Sequence, residues 1–159
     1  MKAKHHFYSS IAVGGVLYFT THSIASLIGT FVGGFLIDAD HVLDQAWSIY
    51  LGAPYTRRQS ALQSEGRGWR AWIARYFRRR KLVRMPLIFH SYEILLLLSF
   101  LTLAYPTLFL IGLLSGYALH MALDLYRHHN EFRSTFFYSL FYRLAKGFRR
   151  ESLVKADYL

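Results

Sequence analysis

The chain contains no cysteine. Disulfides and thiolate metal ligands are therefore excluded, and any metal ion must be held by His, Asp, Glu or water. Acidic residues are scarce, nine Asp and Glu against 19 Lys and Arg, which leaves a formal net charge of +10. Proline is scarcer, with three residues, so one that interrupts an apolar run marks a helix boundary. No internal repeat or low-complexity tract is present. Apolar residues are what the sequence has in excess: 53% of 159 residues are hydrophobic and 18% aromatic. That length suits one domain. The net charge alone would suit a nucleic-acid binder. Long charge-free runs alternating with basic blocks argue against it, because that is the pattern of a membrane protein with basic loops.

The run 86–126 would be about 60 Å long as one helix, twice the hydrocarbon thickness of a bilayer. Pro106 stands in its middle and suits the first turn of a new helix, so the run is a hairpin of two spans, 86–104 and 106–126. The run 7–37 is either one long tilted helix or two short ones broken at "TTHS", where Thr21 or Ser23 offers an N-cap and His22 is a poor residue for mid-bilayer. Charge favours the break. Lys2 and Lys4 precede the run, and ten Arg and Lys residues between Arg57 and Arg84 follow it. The positive-inside rule puts both flanks in the cytoplasm, which requires an even number of crossings. The expected spans are 7–20 and 23–37, with Gly14, Gly15, Gly29, Gly33 and Gly34 allowing close packing. Lys2 and Lys4 ahead of an apolar stretch mimic a signal peptide, but no convincing cleavage site follows, so the segment is expected to be retained.

In the basic segment 52–84, Trp69, Trp72, Ile73, Tyr76 and Phe77 recur at helical spacing with arginines opposite. This predicts an amphipathic helix over 69–80 lying in the membrane interface. The tail 130–151 repeats the design, with Phe136, Phe137, Leu140, Phe141, Leu144 and Phe148 set against Arg143, Lys146, Arg149 and Arg150. The fold class is thus all-α: one integral membrane domain over 1–159, a bundle of four short transmembrane helices in two hairpins plus interfacial amphipathic helices. The chain is expected in a bacterial or archaeal cytoplasmic membrane with both termini in the cytoplasm.

That topology brings the polar residues together. His5 and His6 precede the first span, and Asp38, Asp40 and His41 end the second. His90 and Glu93 fall in the first turns of the third, and His120, Asp124 and His128 end the fourth. His120, Asp124 and His128, at i, i+4 and i+8, share one helical face. His90 and Glu93 sit inside an apolar span, where ionisable groups are costly and usually functional. Carboxylates and imidazoles together suit zinc, manganese or iron. There are more candidates than one ion needs, which implies two ions or partners that orient the ligands. His6 and His129 read as interfacial or surface residues, His22 as a far-side interface residue, and Asp44 as the solvated end of a helix.

The stretches "HHFYSSIA", "LIDADH", "FHS" and "GYALHMALD" resemble the motifs of a family of small membrane-bound, metal-dependent hydrolases of the inner membrane, itself distantly similar to zinc-dependent phospholipase C. The resemblance covers most of the chain apart from the basic loop and tail. It implies His5 or His6, Asp38, Asp40, His41, His90, His120 and Asp124 as ligands or catalytic groups. The chain departs from that pattern at "VRMPLIFHS", where Met85 and Pro86 stand about where the family has the His and Arg of an H-R-G. Glu93 and His128 are the residues that could compensate.

Together these readings predict a membrane-bound, metal-dependent hydrolase of a lipid or lipid-linked (phospho)ester at the cytoplasmic interface, with anionic phospholipid as partner and no nucleic acid. Expected metal ligands are His5, Asp38, His90, His120, Asp124 and His128, holding one or two divalent ions, zinc first and manganese or iron after it. Asp40, His41 and Glu93 are the expected catalytic or supporting groups. Two other classes compete. One is a non-catalytic metal- or lipid-binding scaffold, favoured by the missing H-R-G. The other is a membrane di-iron oxidase or hydroxylase, disfavoured because "RHHN" is the only near match to a histidine box.

Overall fold

The computed structural model describes residues 3–41 and 85–158. The expected interfacial helix 69–80, the whole basic segment 52–84 and Asp44 lie outside the described residues. Among the described residues the fold is all-helical, with no strand. Helix α1 covers Ala3–Thr21 and α2 covers Ile24–Gly34, continued by a 3-10 turn at Leu36–Asp38. Helices α3 (Tyr92–Ala104) and α4 (Leu108–His128) form the second hairpin. Short helices α5 (Leu140–Ala145) and α6 (Arg150–Leu153) follow a 3-10 turn at Thr135–Tyr138.

The N-terminal run divides at "TTHS". His22 takes a left-handed backbone (φ 50) and Ser23 an extended one, so one continuous helix is ruled out. Thr107, just past Pro106, caps α4, its hydroxyl accepting from the Leu110 N–H at 3.2 Å. The third helix differs from the expected 86–104 span. Residues 85–91 form an irregular turn, and Ser91, extended and buried, caps α3 so that it begins at Tyr92. His90 therefore stands before the helix, not in it. The tail also differs from one amphipathic helix over 130–151: it is broken into short pieces that fold back on the bundle. Gly147 and Phe148, both with positive φ, make the break after α5.

The closest contact in the fold is α2 against α4. Gly29 and Gly33 face the carbonyls of Phe109 and Leu113, while Gly112 and Gly116 face those of Ser26 and Thr30. Contacts advance together along both sequences, so the two helices run parallel. Both read G-x-x-x-G ("GTFVG" and "GLLSG"), the spacing that lets helix backbones touch. A Cβ at any of the four would collide with a facing backbone oxygen. Helix α1 packs antiparallel on α2, with Ser10 against Gly34 and the Thr21 hydroxyl 3.1 Å from that of Ser26.

The bundle is polar inside and apolar outside. Ser10, Ser26 and Thr30 are fully buried, and their hydroxyls bond carbonyls of their own helices. Val16, Phe19, Ile24, Ile28, Leu96, Phe100 and Leu103 point outward and are exposed. This inverts the pattern of a protein folded in water. The stretches Ile24–His41 and Leu108–His128 are long and apolar enough to cross a membrane, and Tyr92–Ala104 is a shorter apolar helix. At one end, Tyr117 and Met121 of α4 pack with Leu87, Phe137, Tyr138, Leu153 and Val154 in a conventional apolar core.

The α2–α4 contact makes a direct prediction. Gly33→Ala places a methyl against backbone that cannot move aside, and should cost about 1–3 kcal/mol as overpacking does. Gly15→Ala, at a position with open space around it, should be close to neutral. Unfolding of the two variants in detergent, compared with wild type, measures the difference.

Candidate metal centre

Four helices end at the same place. α1 brings His6, the turn after α2 brings Asp38, Asp40 and His41, the turn before α3 brings His90, and α4 brings His120 and Asp124. The His90 and His120 Nε2 atoms are 3.0 Å apart. Asp38 Oδ1 lies 3.7 Å from His90 Nε2 and 3.8 Å from His120 Nε2. Asp124 Oδ2 lies 3.8 Å and 3.5 Å from the same two nitrogens. Ligand atoms around a tetrahedral zinc, with bonds of about 2.0–2.1 Å, stand about 3.3 Å from one another. The separations from each carboxylate to the two nitrogens, and between the nitrogens, run from 3.0 to 3.8 Å and bracket that value.

Outer hydrogen bonds decide which lone pairs face inward. His120 Nδ1 is 2.8 Å from the Gly34 carbonyl, which can only accept, so that nitrogen carries the hydrogen. His90 Nδ1 is 3.1 Å from Asp40 Oδ2, an oxygen that also accepts the N–H of Phe89 (2.8 Å) and of His90 (3.2 Å). In the neutral rings both Nε2 atoms are then bare and aimed at each other. Two lone pairs at 3.0 Å repel unless a cation sits between them, either a proton or a metal ion. Two carboxylates flank the pair, and the His and Asp atoms lie close enough together that they could hold a metal ion.

Asp40 is buried, and its Oδ2 holds both the His90 imidazole and the backbone of its turn, so it is placed to orient His90. His41 stands at the rim, its side chain 40% exposed and its Nε2 3.8 Å from Asp38 Oδ1. His41, Asp38 and His90 make one group of atoms close enough to share an ion; His90, His120 and Asp124 make another.

His6 corrects two expectations. His5 is exposed, whereas His6 is buried, its ring stacked on that of His120 at 4.0 Å between centroids. His6 Nε2 lies 3.1 Å from Asp124 Oδ1, at an angle that misses a hydrogen bond, and its Nδ1 has no hydrogen-bond partner. With Asp38 and His120 it forms a third group able to hold an ion. The signal was a stripe: His6, Ser10 and Gly14 recur every four residues and are all buried. Gly112, Gly116, His120 and Asp124 make the matching stripe on α4.

Two other expected residues are elsewhere. His128 Nδ1 pairs with Glu131 at 3.0 Å and belongs to none of the three groups. One more turn along α4 carries it past the cluster, so the i+8 member of the face is lost. Glu93 turns to the C-terminal segment. Its carboxylate accepts from the Ser139 hydroxyl (2.7 Å) and the Leu140 N–H (2.8 Å), capping α5. The compensating role expected of these two residues is therefore not seen at the cluster.

The turn carrying His90 is held by residues the sequence did not single out. Leu87 has φ 42, a left-handed conformation costing roughly 1–3 kcal/mol in a residue with a side chain. The Tyr117 hydroxyl accepts the Ser91 N–H at 3.1 Å and shares its hydrogen between the Phe89 and Ser91 carbonyls, each at 2.7 Å. Arg143, expected on the solvated face of the tail, is instead fully buried. Its guanidinium donates to the carbonyls of Leu87 (2.8 Å) and His90 (2.9 Å). Beneath Asp124, burial first and then that carboxylate's charge push the Tyr138 hydroxyl up, so it stays protonated.

Comparison with protein-family profiles, curated proteins and solved structures found no match for this chain. The reading of the site therefore rests on its own geometry.

The geometry separates neighbouring residues by consequence. His6→Ala should weaken divalent-ion binding, whereas His5→Ala should leave it unchanged. Asp40→Asn should weaken it about 10–100-fold, the usual effect of losing a partner that orients a ligand. Titration of each purified variant with zinc or cobalt against a competing chelator checks all three.

Proposed function

We propose that this protein is a membrane-embedded, metal-dependent hydrolase acting on a lipid or lipid-linked (phospho)ester at the membrane interface. One observation supports the reading: the inward-facing Nε2 atoms of His90 and His120, flanked by Asp38 and Asp124, are placed where they could hold a cation, at the end of a bundle whose outer surface is apolar. The resemblance of its motifs to small inner-membrane hydrolases points to the same reaction class.

Asp38, His90, His120 and Asp124 hold the ion in this reading. A divalent ion there supplies a Lewis acid that lowers the pKa of water and stabilises an oxyanion. The chain's own residues do the rest. Asp40 and the Gly34 carbonyl fix the two imidazoles so that their geometry needs no adjustment during reaction. Asp124 and His120 are buried, while Asp38 is partly open and His41 more so, which gives the centre one accessible side. A substrate reaching it passes His41, whose imidazole is placed to accept or return a proton. Zinc is the first candidate because the donors are all nitrogen and oxygen at separations a small ion can span, and manganese or iron suits the same donors. The basic blocks flanking the spans would face the cytoplasm and draw anionic headgroups to that side.

Two experiments test the proposal. Purified protein in vesicles containing anionic phospholipid should release headgroup or phosphate, and a chelator should stop it. Asp124→Ala should lower the rate beyond the roughly 10–100-fold typical of an outer hydrogen-bond partner, while the bundle stays folded. A protein that binds the ion but turns over no lipid ester is a metal- or lipid-binding scaffold instead. The absence of native cysteine makes topology simple to read. Single cysteines at Lys4 and Arg149 should both label from the cytoplasmic side only; labelling from opposite sides refutes the topology.

A further inference from the structure

We propose that Arg143 is a positioning residue for His90, and that the segment around α5 exists to hold that ligand in place. The inference rests on the metal-centre reading only for its functional meaning; its geometry is independent. A fully buried guanidinium has no obvious use in a tail expected to lie on a membrane surface. Here it grips the His90 turn from the side opposite Asp40. Asp40 takes the N–H groups of Phe89 and His90, and Arg143 takes the carbonyls of Leu87 and His90. The peptide groups on both sides of the ligand are thus fixed by charged side chains from distant parts of the chain. This matters because the turn contains the left-handed Leu87, which persists only where surrounding contacts hold it.

The grip is reciprocal. Glu93, in the first turn of α3, caps α5 through Ser139 and Leu140, and α5 returns Arg143 to the turn that leads into α3. Glu93 thus fills open N–H groups at the start of α5, while Arg143 takes up carbonyls of the turn that leads into α3. A third tie joins them, from the Met85 N–H to the Phe148 carbonyl at 2.9 Å. None of these bonds reaches α2 or the glycine contact, so the clamp can be loosened without opening the bundle.

Amide hydrogen exchange and cobalt binding on the full-length protein test this. Arg143→Met, which keeps an unbranched apolar stem and removes the donors, should raise exchange of residues 87–91 at least tenfold while α2 and the first half of α4 keep their protection. Cobalt affinity should fall about 10–100-fold, and the visible spectrum of the bound cobalt should change. Arg143→Lys retains the charge but not the two-pronged grip, and should show the same change in smaller measure. If Arg143→Met fails to fold, the lysine variant decides. Glu93→Gln should loosen the same residues. Unchanged exchange at 87–91, or a rise spread evenly over all helices in the lysine variant, overturns the proposal. If exchange responds as expected but wild type takes up no cobalt, the positioning role stands and the metal-dependent function falls.

Discussion

The distance between α2 and α4 governs the site. Lipid is as apolar as a leucine side chain, so helices within it gain little from hiding apolar surface and must gain from close packing. Four glycines and the small residues beside them let these two backbones touch. The contact continues directly into the centre. Gly34, the last residue of α2, presents the carbonyl that orients His120, and Gly116 lies one turn before His120 on α4. Asp38 follows α2 by four residues. If the helices stood apart by even the width of a methyl group, the carbonyl would not reach the imidazole, and the carboxylate and the two Nε2 atoms would not share one small space.

Charge explains why so polar a cluster is kept at the end of so apolar a bundle. Asp38, Asp40 and Asp124 bring three carboxylates to a place with little water, and ionised groups there are costly unless paired. Arg143 and backbone N–H groups offset part of this around the His90 turn. At the centre itself the groups are nitrogen lone pairs and carboxylate oxygens. That is an arrangement which could hold a cation. The division of labour among the carboxylates follows from position: one oxygen of Asp40 meets three hydrogen donors of the His90 turn, whereas Asp38 and Asp124 each bring an oxygen within 3.8 Å of both imidazole Nε2 atoms.

The same residue types have other uses a few ångströms away. Glu93 is an ionisable group in an apolar helix, yet it serves as the cap of α5. Arg143 belongs to a helical pattern that reads as a membrane-surface stripe, yet it is the most deeply buried cation described. In both cases the decisive factor is the C-terminal segment folding back over the His90 turn, which creates partners that no local pattern announces.

By itself the sequence determined the class and the cast. Absent cysteine limited any metal to nitrogen and oxygen ligands, charge-free runs separated by basic blocks set the helical hairpins, Pro106 and "TTHS" set their turns, and spacing put His120 and Asp124 on one face. These are legible because they depend on local chemistry and on helical periodicity. The tertiary structure alone decided between His5 and His6, since adjacent residues on a helix point about 100° apart and only the packing of α1 selects which one turns inward. It alone moved His128 and Glu93 out of the centre and Arg143 into its support. Those outcomes depend on contacts between elements far apart in the chain, and such contacts exist only once close helix packing has fixed where each helix ends.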